Sequence, residues 1–442
     1  MNRKILDLAV PNIISNITVP LLGIVDISLM GHLESDSYIG AIALGSLIFN
    51  FIYWGFGYIR MGTSGFTAQA LGRRDLPETI NIFSRAVLIA LAGGIALLVL
   101  QAPVEWLSFN ILKGEKDVEI LAASYFRIRI WAAPATLLQF AFMGWFIGMQ
   151  NAKIPMVIAI VSNAVNIAFN FLFVMVWGLG SDGVAYGTVI AQYIGLLVAL
   201  IFFWKYFRKL FKYWNRNAAL KLARIKEFML VNTNIFIRTM CLVLVFSFFT
   251  AKSASADTTT SGADTILAVN SMLMQFFMFF SFLIDGFAYA SEALIGMFIG
   301  SRSRDSLKKA IRLLFVWGFG ISLLFTLLYL FASKAIIGLI TDLPEVRENA
   351  QPYVFWVIII PLVSFSAFLW DGIFIGATAG KAMRNAMLIS TLAIFFPSYW
   401  ILSRIIGNHG LWLAFILFLG ARGISMSLMA QKAIFNRLTP KE

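Results

Sequence analysis

Seven charged residues lie inside long apolar stretches of this 442-residue sequence. A charged side chain inside an apolar membrane span costs at least ~2.5–3.5 kcal/mol, so such residues face the protein interior or water. They are therefore candidates for binding ions or charged solutes. Four are acids and three are arginines, a mixture that favours cationic or zwitterionic solutes over anionic ones. They are Asp26, Arg60, Arg238, Asp285, Glu292, Asp371 and Arg422.

Asp26 is the most informative of the seven because it follows two prolines in the same apolar stretch. Pro20 precedes it by six residues and Pro11 by fifteen, and each proline frees a backbone carbonyl and permits a helix to bend. On an ideal helix Asn12 and Asn16 share one broad arc with Asp26. A carboxylate in an apolar setting takes up a proton readily, so Asp26 is a candidate proton-binding residue. The alternative is a structural aspartate paired with an arginine or an amide.

Three asparagines form a second constellation on one helix face. Asn163, Asn166 and Asn170 follow a spacing of i, i+3 and i+7. Their amides could hydrogen-bond to Asp26 or coordinate a small cation. The alternative is plain packing between helices, in which buried amides contribute modest hydrogen bonds.

The second half of the chain carries its own charged set. Asp285 and Glu292 are seven residues apart and share a helix face, whereas Arg238 and Asp371 lie on other apolar stretches. We predict a buried pair between Arg238 and one of these acids, since each buried charge needs a partner. Its role is left open between a structural latch and a second protonation site.

Composition identifies the elements that must position these residues. Hydrophobic residues make up 60% of the chain, charged residues only 13%, and the mean hydropathy is +0.83. A soluble chain carries roughly 25% charge. One membrane span with its loop takes about 35–40 residues, so the length predicts about twelve spans. The fold class is therefore an all-α polytopic membrane protein with twelve transmembrane helices.

The net charge of +13 lies mainly in alternate short loops, as the positive-inside rule describes, and indicates topology rather than nucleic-acid binding. It places both termini in the cytoplasm. The most basic loop follows the sixth predicted span. It divides the chain into a first lobe over residues 1–204, a linker over 205–227 and a second lobe over 228–442.

The two lobes are related by a constant shift of 228 residues. At this offset Gly72 meets Gly300, Tyr125 meets Tyr353, Gly144 meets Gly372 and Lys153 meets Lys381. One offset held over some 80 residues indicates an internal duplication and predicts two pseudo-symmetric six-helix bundles. Two related bundles with a cavity between them are the architecture of a secondary transporter.

Motifs for enzymatic chemistry are missing from the sequence. Residues 376–382 contain two glycines and a lysine but neither the spacing nor the hydroxyl residue of a phosphate-binding loop. His32, His409 and the single cysteine, Cys241, are far apart in sequence and lack metal-ligand spacing. We expect no enzyme, no cofactor and no metal.

Several segments carry a family resemblance. In the first half they are LLGIVDISLMGHL over residues 21–33 and AQALGRRD over 68–75. In the second half they are IRTMCL over 237–242, DGFAYASEAL over 285–294 and WDGIFIGAT over 370–378. The chain resembles the multidrug and toxic compound extrusion (MATE) transporters over nearly its whole length. The second-half segments resemble the branch of the DNA-damage-inducible protein F (DinF).

The resemblance implies twelve helices in two V-arranged lobes, of the architecture shared across the MATE/MOP superfamily. It implies export of amphipathic, often cationic compounds, driven by protons or sodium ions. Asp26 matches the first-span carboxylate of the family's ion site, Asn166 and Thr188 match polar partners in it, and Pro11 matches a proline where the first span is proposed to bend.

Asn170 departs from the family pattern, because many relatives carry aspartate there. A site with one carboxylate instead of two holds less negative charge, which favours protons over sodium as the coupling ion. The resemblance also implies that Asp371 could supply the working acid that relatives outside this branch place in the tenth span.

The resulting expectation is an antiporter in the bacterial inner membrane that exchanges drugs for protons through Asp26. Its partners are small amphipathic or cationic substrates and the lipid bilayer, without nucleic acid, and we expect a monomer. Two alternatives are sodium-coupled export and a flippase of lipid-linked precursors from the same superfamily.

Overall fold

The computed structural model describes residues 1–30, 36–112, 115–254 and 263–438. Within these ranges every regular element is a helix, which confirms the predicted all-α fold. A few side chains inside the described helices also lie outside the description, and the side chain of Asp26 is one of them. His32 lies in the first undescribed gap.

The first half of the chain forms ten α-helices in its described part. They are α1 (Asn2–Met30), α2 (Asp36–Phe56), α3 (Tyr58–Gly72), α4 (Leu76–Val99), α5 (Gln101–Ile111), α6 (Lys116–Arg129), α7 (Ala133–Gly148), α8 (Lys153–Phe171), α9 (Gly180–Phe207) and α10 (Arg216–Ala219). A π-helical turn, Leu172–Val176, extends α8, and a 3₁₀ helix, Arg208–Tyr213, follows α9.

The second half forms eight more in its described part. They are α11 (Leu222–Ala254), α12 (Ala263–Gly300), α13 (Arg304–Ile340), α14 (Pro344–Ala350), α15 (Val354–Gly376), α16 (Gly380–Leu388), α17 (Phe396–Ile406) and α18 (Asn408–Ala433). A π-helical turn, Ile389–Phe395, joins α16 to α17.

Eleven helical segments of the described chain are long and apolar enough to cross a membrane. They are Ser37–Gly72, Leu76–Val99, Lys116–Gly148, Lys153–Val176, Gly180–Tyr213, Leu222–Ala254, Thr265–Gly300, Arg304–Ile340, Pro344–Gly376, Gly380–Ile406 and Asn408–Ala433. The 29-residue α1 precedes them at the position predicted for the first span. A multi-pass helical membrane protein is therefore confirmed, with eleven to twelve apolar helices.

The chain divides into two compact units. The first unit is Val10–Asn232, and the second unit combines Met1–Ala9 with Thr233–Glu442. Residues 205–227, the predicted linker, fall within the first unit. Both unit boundaries lie inside helices, one in α1 and one in α11.

The backbone repeats at the predicted offset of 228 residues. Arg74 and Arg302 both adopt positive φ, at 59° and 54°, in the turn that precedes α4 and α13 respectively. Gln150 and Thr378 do the same at 63° and 49°, after α7 and α15. Left-handed backbone at a residue other than glycine is uncommon, so two coincidences at one offset are strong support for the duplication.

Helix packing repeats at the same offset. A Cβ atom built on Gly148 would lie 2.7 Å from the carbonyl oxygen of Ser64, and one built on Gly376 would lie 2.6 Å from that of Glu292. Each position therefore needs glycine for close approach of two helices, α7 to α3 in the first unit and α15 to α12 in the second. The two units thus share this close helix contact.

Candidate functional site

The backbone of Asp26 lies in α1, which runs as one helix through both Pro11 and Pro20. Pro11 is buried and Pro20 is half-buried. Asn12, predicted on the same arc, is also buried. The structure thus gives the helix that carries Asp26, whereas the Asp26 carboxylate itself lies outside the described side chains.

A chain of hydrogen bonds joins three of the predicted ion-site residues in the first unit. The Asn170 side-chain amide donates to Oδ1 of Asn166 at 2.9 Å, and Asn166 in turn donates to Oγ1 of Thr188 at 3.1 Å. The Thr188 hydroxyl donates to the carbonyl oxygen of Val184 at 2.9 Å. The structure therefore brings Asn166, Asn170 and Thr188 together across α8 and α9.

The chain of hydrogen bonds lies in the protein interior. Asn166 is 3% exposed and Asn170 is fully buried, so these side chains cannot bond to water and need one another as partners. Asn163, the third amide of the predicted stripe, is half-buried and takes no part in the chain. The i, i+4 pair of asparagines thus forms the bonded part of the stripe.

A row of small residues on α9 permits α8 to approach. Every fourth residue on its buried face is glycine or alanine: Gly183, Gly187, Ala191, Gly195 and Ala199. A Cβ on Gly187 would overlap the Asn170 side-chain oxygen, and one on Gly195 would overlap the Ser162 hydroxyl. Small residues at this spacing are how membrane helices pack closely without a hydrophobic driving force.

The second unit contains a buried ion network. Oδ2 of Asp371 accepts hydrogen bonds from the guanidinium groups of both Arg238 and Arg422, the latter at 2.6 Å. The three residues belong to α15, α11 and α18, and none is more than 8% exposed. One carboxylate therefore ties three helices together.

Sequence reasoning predicted one arginine–acid pair here, and the structure identifies Asp371 as the partner of Arg238. It adds Arg422, which the sequence marked only as a charge in an apolar stretch. The Arg422 guanidinium also lies 5.8 Å from the ring centre of Phe368 and 5.5 Å from that of Phe418, so aromatic faces support the same cation.

Asp285 and Glu292 share one face of α12, as predicted. Glu292 is buried and Asp285 is half-buried. Asp285 is close enough to Arg422 to interact with it electrostatically. This interaction adds a fourth helix, α12, to the electrostatic surroundings of Arg422.

The two units use one scaffold for different chemistry. At the offset of 228, Arg238, Asp371 and Arg422 correspond to the apolar residues Val10, Met143 and Ile194. Conversely, the amide and hydroxyl chain of the first unit corresponds to Ile394, Ser398 and Ile416. The hydrogen-bonded chain of the first unit is therefore neutral, whereas the network of the second unit is ionic.

Two further arginines have buried contacts that the sequence did not predict. Arg85 on α4 is 3% exposed, donates to the carbonyl oxygens of Ala218 and Ala219, and pairs with Glu78 at 2.8 Å. Its two backbone partners leave no sequence signal. Glu78 lies seven residues earlier in α4, and this spacing is the signal that could have marked the pair.

Arg129 on α6 is held by hydroxyl groups and rings. It donates to Tyr125 at 2.6 Å and to Ser46 at 3.1 Å, and lies 4.8 Å from the centre of the Phe49 ring. In the described part of the chain it has no carboxylate partner. Its place between α6 and α2 shows how neutral groups accommodate an arginine in an apolar unit.

A metal site is not evident in the described residues, where no group of three or more His, Cys, Asp or Glu side chains could hold an ion. Cys241 is buried and free. His409 accepts a hydrogen bond at Nδ1 from the indole of Trp356 at 3.0 Å, a local packing role.

Comparison with known proteins adds a family to this geometry. The sequence pattern of the MatE family matches the chain twice, over residues 11–172 and 237–400. The second match begins and ends about one half-chain after the first, which agrees with the duplication seen in the backbone. Together the matches cover most of the chain.

Named relatives match nearly the full length. DNA damage-inducible protein F of Escherichia coli (strain K12) is 35% identical over 430 residues, covering 96% of this chain and 91% of that protein. Protein DETOXIFICATION 44, chloroplastic, of Arabidopsis thaliana is 24% identical over 448 residues, covering 96% and 81%.

Solved structures share the fold. The outward-facing conformation of a multidrug resistance MATE family transporter of the MOP superfamily aligns with a TM-score of 0.88 at 19% identity. The alignment covers 99% of this chain and 96% of the other. A MOP superfamily transporter from Pyrococcus furiosus aligns with a TM-score of 0.85, also at 19% identity.

Proposed function

This chain belongs to the MatE family of multidrug and toxic compound extrusion transporters, and we propose that it exchanges amphipathic, often cationic compounds for protons bound at Asp26. It is a multi-pass membrane transporter rather than an enzyme. The loop charges support an orientation with both termini in the cytoplasm, and the E. coli relative supports placement in the bacterial inner membrane.

The choice of proton over sodium as the coupling ion rests on the chain of hydrogen bonds between α8 and α9. A sodium ion needs several oxygen ligands, preferably including carboxylates. Here Oδ1 of Asn166 and Oγ1 of Thr188 already accept hydrogen bonds from neighbouring amides. Asn170 supplies an amide where a second carboxylate would add negative charge. These features favour an ion that binds by protonating one acid.

The proposed cycle needs one titratable group. In the outward-facing state Asp26 takes up a proton, α1 shifts, and the substrate leaves. In the inward-facing state the proton is released to the cytoplasm and new substrate binds. Proton and substrate are coupled because each binds the two states with different affinity. Exchange of one proton for one monovalent cation moves no net charge, so the pH gradient alone would drive it.

We assign the Asp371 network a structural role in this cycle. It joins α11, α15 and α18 through one carboxylate, with Asp285 of α12 close to Arg422. A buried ion cluster of this kind holds helices in one arrangement because breaking it leaves buried charges unpaired. The second unit would then move as one body while Asp26 exchanges protons.

The experiment uses protein reconstituted in liposomes with a fluorescent lipophilic cation. A pH gradient and a sodium gradient are imposed separately on the wild type and on Asp26→Asn. We expect transport on the pH gradient alone and its loss in Asp26→Asn. The matched control is Asp7→Asn, which removes an exposed acid from the same helix and should leave transport unchanged.

Other outcomes would redirect the assignment. Transport by the wild type on the sodium gradient alone would overturn the proton coupling. Normal pH-driven transport by Asp26→Asn would remove Asp26 from the cycle. Absence of transport on both gradients would favour the flippase alternative. A labelled-lipid translocation assay would then test that alternative.

A further inference from the structure

The segment over residues 205–226, here called the basic segment, combines positive charge with exposed aromatic rings. It contains eight lysines and arginines and no acidic residue. All eight basic side chains are exposed. Trp204 and Tyr206 at the end of α9, and Phe211 and Trp214 just beyond it, are also exposed. Cations and aromatic rings therefore share one surface.

The basic segment is ordered and attached to the first unit. Nε of Arg85 donates to the carbonyl oxygen of Ala219 at 2.9 Å, and Nη2 donates to that of Ala218 at 3.0 Å. The backbone amide of Asn215 donates to Oδ1 of Asn81 at 3.4 Å. Both anchoring side chains belong to α4 and are buried. The segment is thus held against the flank of a membrane helix.

The position of this anchor along α4 indicates how deep the basic segment lies. Arg85 is nine residues after the first residue of α4, Leu76, which corresponds to ~13.5 Å at 1.5 Å per residue. The headgroup layer on each side of a bilayer is only about 5–8 Å thick. Since α4 is long enough to cross a membrane and Arg85 lies further along it than the thickness of one headgroup layer, a segment bonded to Arg85 lies against the membrane rather than in open water.

We infer that the basic segment is a docking surface for anionic phospholipid headgroups. Clusters of four to eight basic residues next to a membrane helix bind anionic lipid, and exposed tryptophan and tyrosine side chains prefer the same interface. The lipid phosphates complement the positive charge, and the acyl chains just below accommodate the rings. A nucleic acid or an acidic protein would match the charge but not the attachment of the segment to the flank of a membrane helix.

The test follows proteolysis of the full-length protein in nanodiscs, because chymotrypsin cuts after aromatic residues such as Phe211, Tyr213 and Trp214. We compare nanodiscs of phosphatidylcholine alone with nanodiscs that also contain phosphatidylglycerol. Anionic lipid should slow cleavage within the basic segment by about tenfold or more, measured by mass spectrometry of the fragments. Salt at about 0.5 M should remove the difference, since it screens the attraction.

A charge-neutralised variant tests the basic segment itself. The variant Lys205→Gln, Arg208→Gln, Lys209→Gln and Lys212→Gln removes no cleavage site and changes only exposed side chains. It should be cleaved equally fast in both lipids. The control neutralises four exposed residues of another basic loop: Arg302→Gln, Arg304→Gln, Lys308→Gln and Lys309→Gln. That control should keep the lipid protection.

Three results would overturn the inference: equal cleavage of the wild type in both lipids, loss of protection in the control variant, or protection by added RNA in phosphatidylcholine nanodiscs. The last would point to nucleic acid as the partner. The readout does not involve transport, so its outcome is separate from that of the proposed antiport.

Discussion

Gly187 on α9 faces Asn170 on α8 so closely that a Cβ atom at position 187 would overlap the asparagine side-chain oxygen. The hydrogen-bonded chain of the first unit therefore depends on a missing side chain on the opposite helix. This relationship links helix packing directly to the polar site, because the same approach that buries Asn170 also places Asn166 beside Thr188.

We predict that Gly187→Ala destabilises the protein by about 1–3 kcal/mol, the usual cost of overpacking. Asn170→Ala should relieve the overlap, so the double variant should lose less stability than the two single changes together. Thermal unfolding in detergent measures this coupling. Gly320→Ala is the control, because a Cβ there meets no atom within 4 Å. Additive losses in the double variant would mean that the two residues do not interact.

Asn170→Asp should change the coupling ion. The substitution restores a second carboxylate beside Asn166 and adds the negative charge that a sodium site requires. We expect efflux driven by a sodium gradient to appear in this variant, measured in liposomes without a pH gradient. Asn163→Asp serves as control, since Asn163 lies on the same helix outside the bonded chain. Equal sodium-driven efflux in both variants would show that the coupling ion does not depend on the residue at position 170.

The Asp371 network predicts an asymmetry between its members. Asp371→Asn leaves two buried guanidinium groups without their shared carboxylate and should cost about 3–5 kcal/mol. Arg422→Met should cost less, because Arg238 and Asp371 remain as a balanced pair. Chemical unfolding of both variants in detergent compares the two losses. Equal losses would indicate that Arg422 and Arg238 do not share the carboxylate.

The internal repeat predicts that paired glycines behave alike. Gly148→Ala and Gly376→Ala each place a Cβ atom within 2.7 Å of a carbonyl oxygen on the facing helix. Both should therefore destabilise by a similar amount, about 1–3 kcal/mol. Thermal unfolding of the two variants, with Gly320→Ala as reference, measures it. A large loss at one position alone would mean that the two units differ in this helix contact.

Much of the fold could be predicted because membrane insertion leaves strong signals in a sequence. Apolar stretches located the helices, and one offset of 228 residues predicted a repeat that the positive φ angles of Arg74 and Arg302 then displayed. The spacing of Asn166 and Asn170 predicted a shared helix face because periodicity determines which side chains are neighbours.

Contacts between distant helices were beyond such signals. Three acids could have paired with Arg238, and only the packing of α15 against its neighbours selects Asp371. Arg422 lies 51 residues further along the chain, so no local spacing connects it to that acid. Every residue has the kind of backbone carbonyl that accepts a hydrogen bond from Arg85, so these partners cannot be recognised in a sequence. These contacts depend on tertiary structure rather than on sequence pattern.

Because the two units share a backbone pattern, polar residues of one half have defined corresponding positions in the other half. Val10, Met143 and Ile194 occupy the positions that correspond to Arg238, Asp371 and Arg422, and the glycines that set the helix spacing are present in both halves. A protein engineer could exchange polar clusters between the halves without redesigning the main chain. As a result of the duplication, the backbone of each half could accommodate the polar cluster of the other half.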